Sequence, residues 1–110
     1  MEVFIREQVS KTLGIPKKQY EILKNVLDER VRQDQLKAQD RFKYTCADWE
    51  LDESECLAVL MEEVGEVARE VLGKQGLTTD GKDGKLQTEL VECAAVILAW
   101  LERYERTTDT

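Results

Sequence analysis

The sequence predicts an all-α fold, and three observations carry that prediction. Leu, Glu, Lys, Ala, Gln and Arg dominate, and the chain has one proline and six glycines. It is therefore rich in helix formers and poor in turn residues. Apolar residues recur at helical spacing over long stretches. Finally, 42% apolar content beside 35% charged residues suits helices with one packed and one solvated face. At 110 residues a single domain, 1–110, holds them all. The expected architecture is an antiparallel helical bundle.

The first element is a short helix over 2–13, anchored by Ile5, Val9 and Leu13 and ended by Gly14. Pro16 then suits the first turn of a long helix over 16–38, where its missing N–H costs nothing. Tyr20, Leu23, Leu27 and Val31, with Val26 beside them, form its expected packing stripe. Arg30 falls on that apolar arc and Arg32 away from it. A cation on a packing face needs an anionic partner. Arg30 is thus expected to bridge to a carboxylate of the next helix or to contact a phosphate, which a guanidinium fork fits well.

Residues 39–50 lose the helical period while holding Phe42, Tyr44 and Trp49. These aromatics either cap the core or stack on a nucleobase, and the segment would suit a lid. Asp52 is a fair N-cap for the next helix, 53–72, with Glu53 and Glu55 where the helix dipole favours anions. Gly73 is its expected C-terminal stop. Residues 74–84 read as a loop, either a plain connection or a flap whose Lys82, with Lys85 beyond it, meets phosphate oxygens. The Walker A order of residues is absent.

The last helix, 85–104, is apolar all round between Cys93 and Leu101. A helix of that kind must be covered on every side. So short a chain cannot do that alone, so a dimer or tetramer is expected to complete the bundle.

The chemistry concentrates in two places. Glu62-Glu63-Val64-Gly65-Glu66 sets three carboxylates in one helix, and Glu89-Leu90-Val91-Glu92 repeats the three-residue step in the next. Residues three apart share a helix face, so two packed helices bring four carboxylates to one centre. Glu63 and Glu66 sit at the edge of the apolar arc, and Glu89 and Glu92 lie within one. Glutamates on packing faces are costly unless paired or metal-bound. Oxygen-rich clusters suit a hard divalent cation, magnesium or manganese. Gly65 gains nothing for its helix and is expected to admit a close neighbour.

Other classes recede. A net charge of −7 argues against a nucleic-acid polymer as partner. The chain has no histidine, which removes the Glu-x-x-His motif of di-iron bundles. Cys46, Cys56 and Cys93 form no zinc or disulfide pattern. Residues 1–10 carry mixed charge without an apolar core, and no run is long enough to span a membrane. A cytoplasmic protein is the expectation. A silent helical interaction module remains the rival to an enzyme, and it requires a cation facing each glutamate.

The two carboxylate strings, continued by Cys93-Ala94-Ala95-Val96 and Ala99-Trp100-Leu101-Glu102 and preceded by Glu29-Arg30-Val31-Arg32-Gln33, resemble the MazG-like proteins of the all-α nucleoside triphosphate pyrophosphohydrolase superfamily. The resemblance covers roughly residues 27–102. It implies an oligomeric helical enzyme that uses magnesium to convert nucleoside triphosphates to monophosphate and pyrophosphate. It further implies that Glu63, Glu66, Glu89 and Glu92 are metal ligands, with Glu62 or Glu66 orienting or deprotonating the attacking water. Glu92 stands where the family usually has Asp, a longer arm at a site whose octahedral geometry is demanding. Arg30, Lys82 and Lys85 are the candidates for phosphate contact, and Trp49 and Trp100 for the base.

Overall fold

The computed structural model describes residue 8 and residues 11–41, 43–74 and 85–108. Within them every regular element is helical: α1 (Lys17–Ala38), α2 (Glu53–Lys74) and α3 (Leu86–Thr108). Residues 11–13 are helical and end at Gly14, whose φ of +68° is the left-handed conformation that glycine adopts freely. The rest of the expected 2–13 helix, apart from Gln8, lies outside the described residues.

Local chemistry sets the helix ends. Pro16 stands at the N-terminal boundary of α1. Its C-terminus closes with Asp40 N–H donating to the Lys37 carbonyl and Arg41 N–H to the Leu36 carbonyl. This is a Schellman arrangement, with Asp40 in the left-handed seat at φ 60°. Asp tolerates that conformation better than most side chains. At α2 the Glu55 N–H donates to Asp52 Oδ1 (2.8 Å) and the Asp52 N–H to Glu55 Oε1 (3.1 Å), a reciprocal capping box. Asp52 is therefore the cap its position predicted. Gly73 is not the stop: α2 continues through it to Lys74. One glycine costs a helix only about 1 kcal/mol, too little to end it alone. Helix α3 likewise runs four residues beyond the expected Tyr104.

Helix α3 is the centre of the molecule. It packs against α1 and against α2, and the two outer helices make no comparable contact with each other. Across α2 and α3, Glu53 meets Tyr104, Cys56 meets Arg103, and Glu63 and Glu66 meet Glu89 and Glu92. That order makes the pair antiparallel. Ala95, Val96 and Ala99 of α3 join Cys56 of α2 and Cys46 and Ala47 of the connecting segment as the buried core.

The packing face of α1 differs from the expected one. Val26, Arg30 and Gln33 are buried, whereas Leu23, Leu27 and Val31 are each more than half exposed. The period was read correctly, but its phase is rotated. One neighbouring helix can cover only one stripe, and that stripe is the one that also satisfies Arg30. Its Nε donates to Glu102 Oε2 and its Nη1 to Asp34 Oδ1, both at 2.6 Å.

In the segment before α2, Thr45–Asp48 is anchored in the interior. Asp48 Oδ2 accepts from the Thr45 N–H (2.8 Å), and Asp48 Oδ1 accepts from Lys37 Nζ (2.7 Å). These bonds fold Thr45–Asp48 into the interior, where all four residues are buried. The Lys37 ammonium and the Thr45 N–H also hold the Asp48 carboxyl below its ordinary range, against the opposing effect of burial.

Candidate metal centre and adjoining cavity

The antiparallel register of α2 and α3 aligns the two carboxylate pairs. Glu63, Glu66, Glu89 and Glu92 each bring an oxygen to within 4.8 Å of the others. Glu92 reaches the same centre as the other three glutamates. All four are partly buried. Glu63 Oε2 and Glu89 Oε2 are shut off from solvent with no hydrogen-bond partner. Buried carboxylate oxygens are normally paired, so these two are acceptors without a donor.

Electrostatics record the crowding. Burial, then the charges of Glu66, Glu92, Glu89 and Glu62, push Glu63 up to about 7. Glu66 is raised first by its hydrogen bond with Glu89 and then by burial. Four carboxylates this close cannot all ionise without a compensating cation. The nearby cations do not meet that need. Arg69 stands 4.0 Å from Glu66, and Arg32 feels Glu92 and Glu63 only after its closer partner Glu29. A divalent ion bound by oxygen fits this donor set.

Beside the cluster lies a cavity of about 260 Å³ lined by Gln33, Tyr44, Thr45, Cys46, Leu51, Val59, Glu62, Glu63, Val96 and Ala99. It occupies the gap that α1 and α2 leave above α3, closed at one side by the Thr45–Asp48 turn. Glu63 belongs both to the cluster and to the cavity wall, so the two form one continuous site. Most of the wall is apolar, with one buried amide (Gln33) and one aromatic ring (Tyr44).

The remaining sequence candidates fall in different places. Glu62 is exposed and lines the cavity, while Glu66 sits within the cluster. Arg30 pairs with Glu102 and Asp34, so its ionic partners lie on α3 and on its own helix and not on the next helix, α2. Lys85 is exposed one turn before Glu89, and Lys82 lies outside the described residues. Neither tryptophan lines the cavity. Trp100 packs against the core, and Trp49 stacks on the Arg103 guanidinium at 4.5 Å and meets Tyr104 edge-on. Phe42 lies outside the described residues. A methyl added at Gly65 would meet nothing within 4 Å, so among the described residues no neighbour makes the close approach expected there.

Sequence reasoning missed Gln33 as a lining residue of the cavity. It occurs in the Glu29–Gln33 segment that carries the family resemblance, and that segment was the available signal. Periodicity could not supply it, because the phase of α1 was set by leucines that face outward. Arg103, only 2% exposed, was also missed. It follows an apolar run and reads as the solvated end of a helix.

Compared with known proteins, the chain matches no family model, no curated protein and no solved structure. Among the described residues no helix is long and apolar enough to cross a membrane.

Proposed function

We propose that this chain is a metal-dependent nucleoside triphosphate pyrophosphohydrolase of the MazG-like kind. It would convert a ribo- or deoxyribonucleoside triphosphate to the monophosphate and pyrophosphate, as a nucleotide-pool house-cleaning activity in the cytoplasm. The observation that carries this reading is the convergence of four glutamates, two with orphaned buried oxygens, on the rim of a mostly apolar cavity.

Glu63, Glu66, Glu89 and Glu92 would hold magnesium, with manganese as an alternative. Such an ion supplies charge neutralisation on phosphate oxygens and a bound water of lowered pKa. Glu62 stands beside the ligands on the cavity wall without joining them, which suits it to accept the proton of the attacking water. With no histidine in the chain, a carboxylate must take that role. Glu66, drawn into the cluster by Glu89, is better employed as a ligand. The cavity fits a nucleobase, with Tyr44 offering a ring face and Gln33 an amide able both to donate and to accept. Arg32, Lys85 and Lys82 are the cations for the phosphate chain.

A homodimer or homotetramer belongs to the same proposal. Ile22, Leu23, Leu27 and Val31 on α1, Leu57 and Met61 on α2, and Ile97 and Leu101 on α3 are exposed. That is more outward apolar surface than scattered single residues would give.

The test is pyrophosphate release from a panel of nucleoside triphosphates, with and without magnesium, for the native chain and Glu63→Gln. Metal-dependent release abolished by Glu63→Gln is expected. Absence of release from every nucleotide would overturn the enzyme and leave a silent helical binding module.

A further inference from the structure

A second cluster of reactive groups lies within the core, at the first turn of α2 and the segment before it. Cys46 and Cys56 are both buried members of one core cluster, and the Cys56 thiol donates to the Cys46 carbonyl at 3.9 Å. Arg103 Nη1 donates to Cys56 Sγ at 3.2 Å. This guanidinium is a buried cation with no carboxylate partner among the described residues. Its other contact is the face of Trp49, and its Nε has no acceptor. A buried charge without a counter-charge is costly. Among the described residues, the group hydrogen-bonded to it that can carry negative charge is the Cys56 sulfur.

We propose that Cys46 and Cys56 form a peroxide-reactive dithiol that closes to an intramolecular disulfide, with Arg103 stabilising the attacking sulfur. The guanidinium placed 3.2 Å from the Cys56 sulfur stabilises the charge that develops as that sulfur attacks. The Cys56 sulfur attacks one oxygen of hydrogen peroxide, and the O–O bond breaks. A sulfenic acid forms, and the departing hydroxide takes the Cys56 proton and leaves as water. The Cys46 sulfur then attacks the sulfenic sulfur and the S–O bond breaks. The released hydroxide takes the Cys46 proton, giving a second water. Two thiols are oxidised and one peroxide is reduced.

The division of labour follows from surroundings. Arg103 touches the Cys56 sulfur, which makes Cys56 the attacking residue and leaves Cys46 to resolve; burial and the adjoining Cys56 also push the Cys46 thiol up. Cys46 also lines the cavity, through which an oxidant scarcely larger than water reaches the pair. The resulting bridge would tie the segment carrying Tyr44 and Thr45 to the helix carrying Glu62 and Glu63. It would join two walls of the same cavity. The chemistry itself does not depend on whether the carboxylate cluster binds metal or turns over nucleotide.

The experiment exposes the reduced full chain to hydrogen peroxide in EDTA, then alkylates under denaturing conditions and measures intact and peptide masses. Residues 44–69 form one tryptic peptide that holds both cysteines, with Lys43 before it and Arg69 at its end. The expected product has lost two hydrogens within that peptide, keeps Cys93 as its single alkylatable thiol, and reverts with dithiothreitol. Cys93→Ser should leave the reaction unchanged. Cys46→Ser should stop at a sulfenic acid on Cys56 that dimedone traps, and Cys56→Ser should give no bridge. Arg103→Met should slow bridge formation several-fold in a variant whose circular dichroism is native. Three alkylatable thiols after treatment, a bridge that uses Cys93, or unchanged kinetics in a folded Arg103→Met would overturn the proposal.

Discussion

Replacing Glu63 by glutamine removes the most perturbed carboxyl of the cluster, and its effect on stability can be worked from the structure. Glu63 is raised from an ordinary 4.5 to about 7 by burial and by four neighbouring glutamates. At about 1.4 kcal/mol per factor of ten, that shift corresponds to about 3 kcal/mol. The side chain is partly open to water, and solvent screening reduces this to about 1–2 kcal/mol. The sign follows from linkage. A carboxyl raised in the folded state contributes stability that is complete below pH 4.5 and lost as pH rises through about 7. Metal-free native protein should therefore weaken between pH 5 and pH 8. Glu63→Gln should escape most of that loss and melt above the native chain at pH 8, by about 3–10 °C for a domain of this size. Magnesium should reverse the order, because it binds the folded native site and raises its stability by mass action. The assay is thermal unfolding by circular dichroism at pH 5 and pH 8, in EDTA and then in magnesium. A native Tm in EDTA that holds level from pH 5 to pH 8, or a variant less stable than native at pH 8 in EDTA, would refute the reasoning.

Three further outcomes are expected. Gly65→Ala should stabilise the protein by about 0.5–1 kcal/mol, since the added methyl meets open space and the helix gains propensity; a loss of stability in urea unfolding would mean that a neighbour covers that face in an assembly. Arg30→Met should cost about 1–3 kcal/mol, because it leaves Glu102 without its partner at the α1–α3 contact. The same variant should keep its KM for nucleoside triphosphate, and a raised KM would restore Arg30 as a phosphate contact. Arg32→Ala should instead raise KM roughly 5- to 30-fold, equivalent to about 1–2 kcal/mol of lost charge interaction, with unfolding little changed.

How far the site was legible depended on the kind of signal each residue gave. The four glutamates could be found because charge on a packing face contradicts its surroundings, and that contradiction is visible in a string of letters. Asp52 and Gly14 were legible for a similar reason: caps and left-handed turns are decided within a few residues. The packing face of α1 was not legible. Leu23, Leu27 and Val31 describe an apolar stripe, yet Val26, Arg30 and Gln33 are the residues that α3 covers. Hydrophobicity does not say which of two stripes a single neighbour will take when an ion pair to Glu102 competes with leucines for it. Trp49 and Trp100 were drawn toward a base by their chemistry, and packing took both elsewhere.

The sequence by itself therefore determined the helical class, the approximate helix spans and the two carboxylate pairs, because propensity, capping and three-residue spacing act over a single turn. Tertiary structure alone decided that the two pairs meet within 4.8 Å, that Gln33 and Tyr44 rather than a tryptophan wall the cavity, and that Arg103 lies on Cys56. Each of those contacts joins residues on different elements, and which ones meet depends on helix register and rotation. These follow from the summed packing of many side chains, and no local stretch of the chain encodes them.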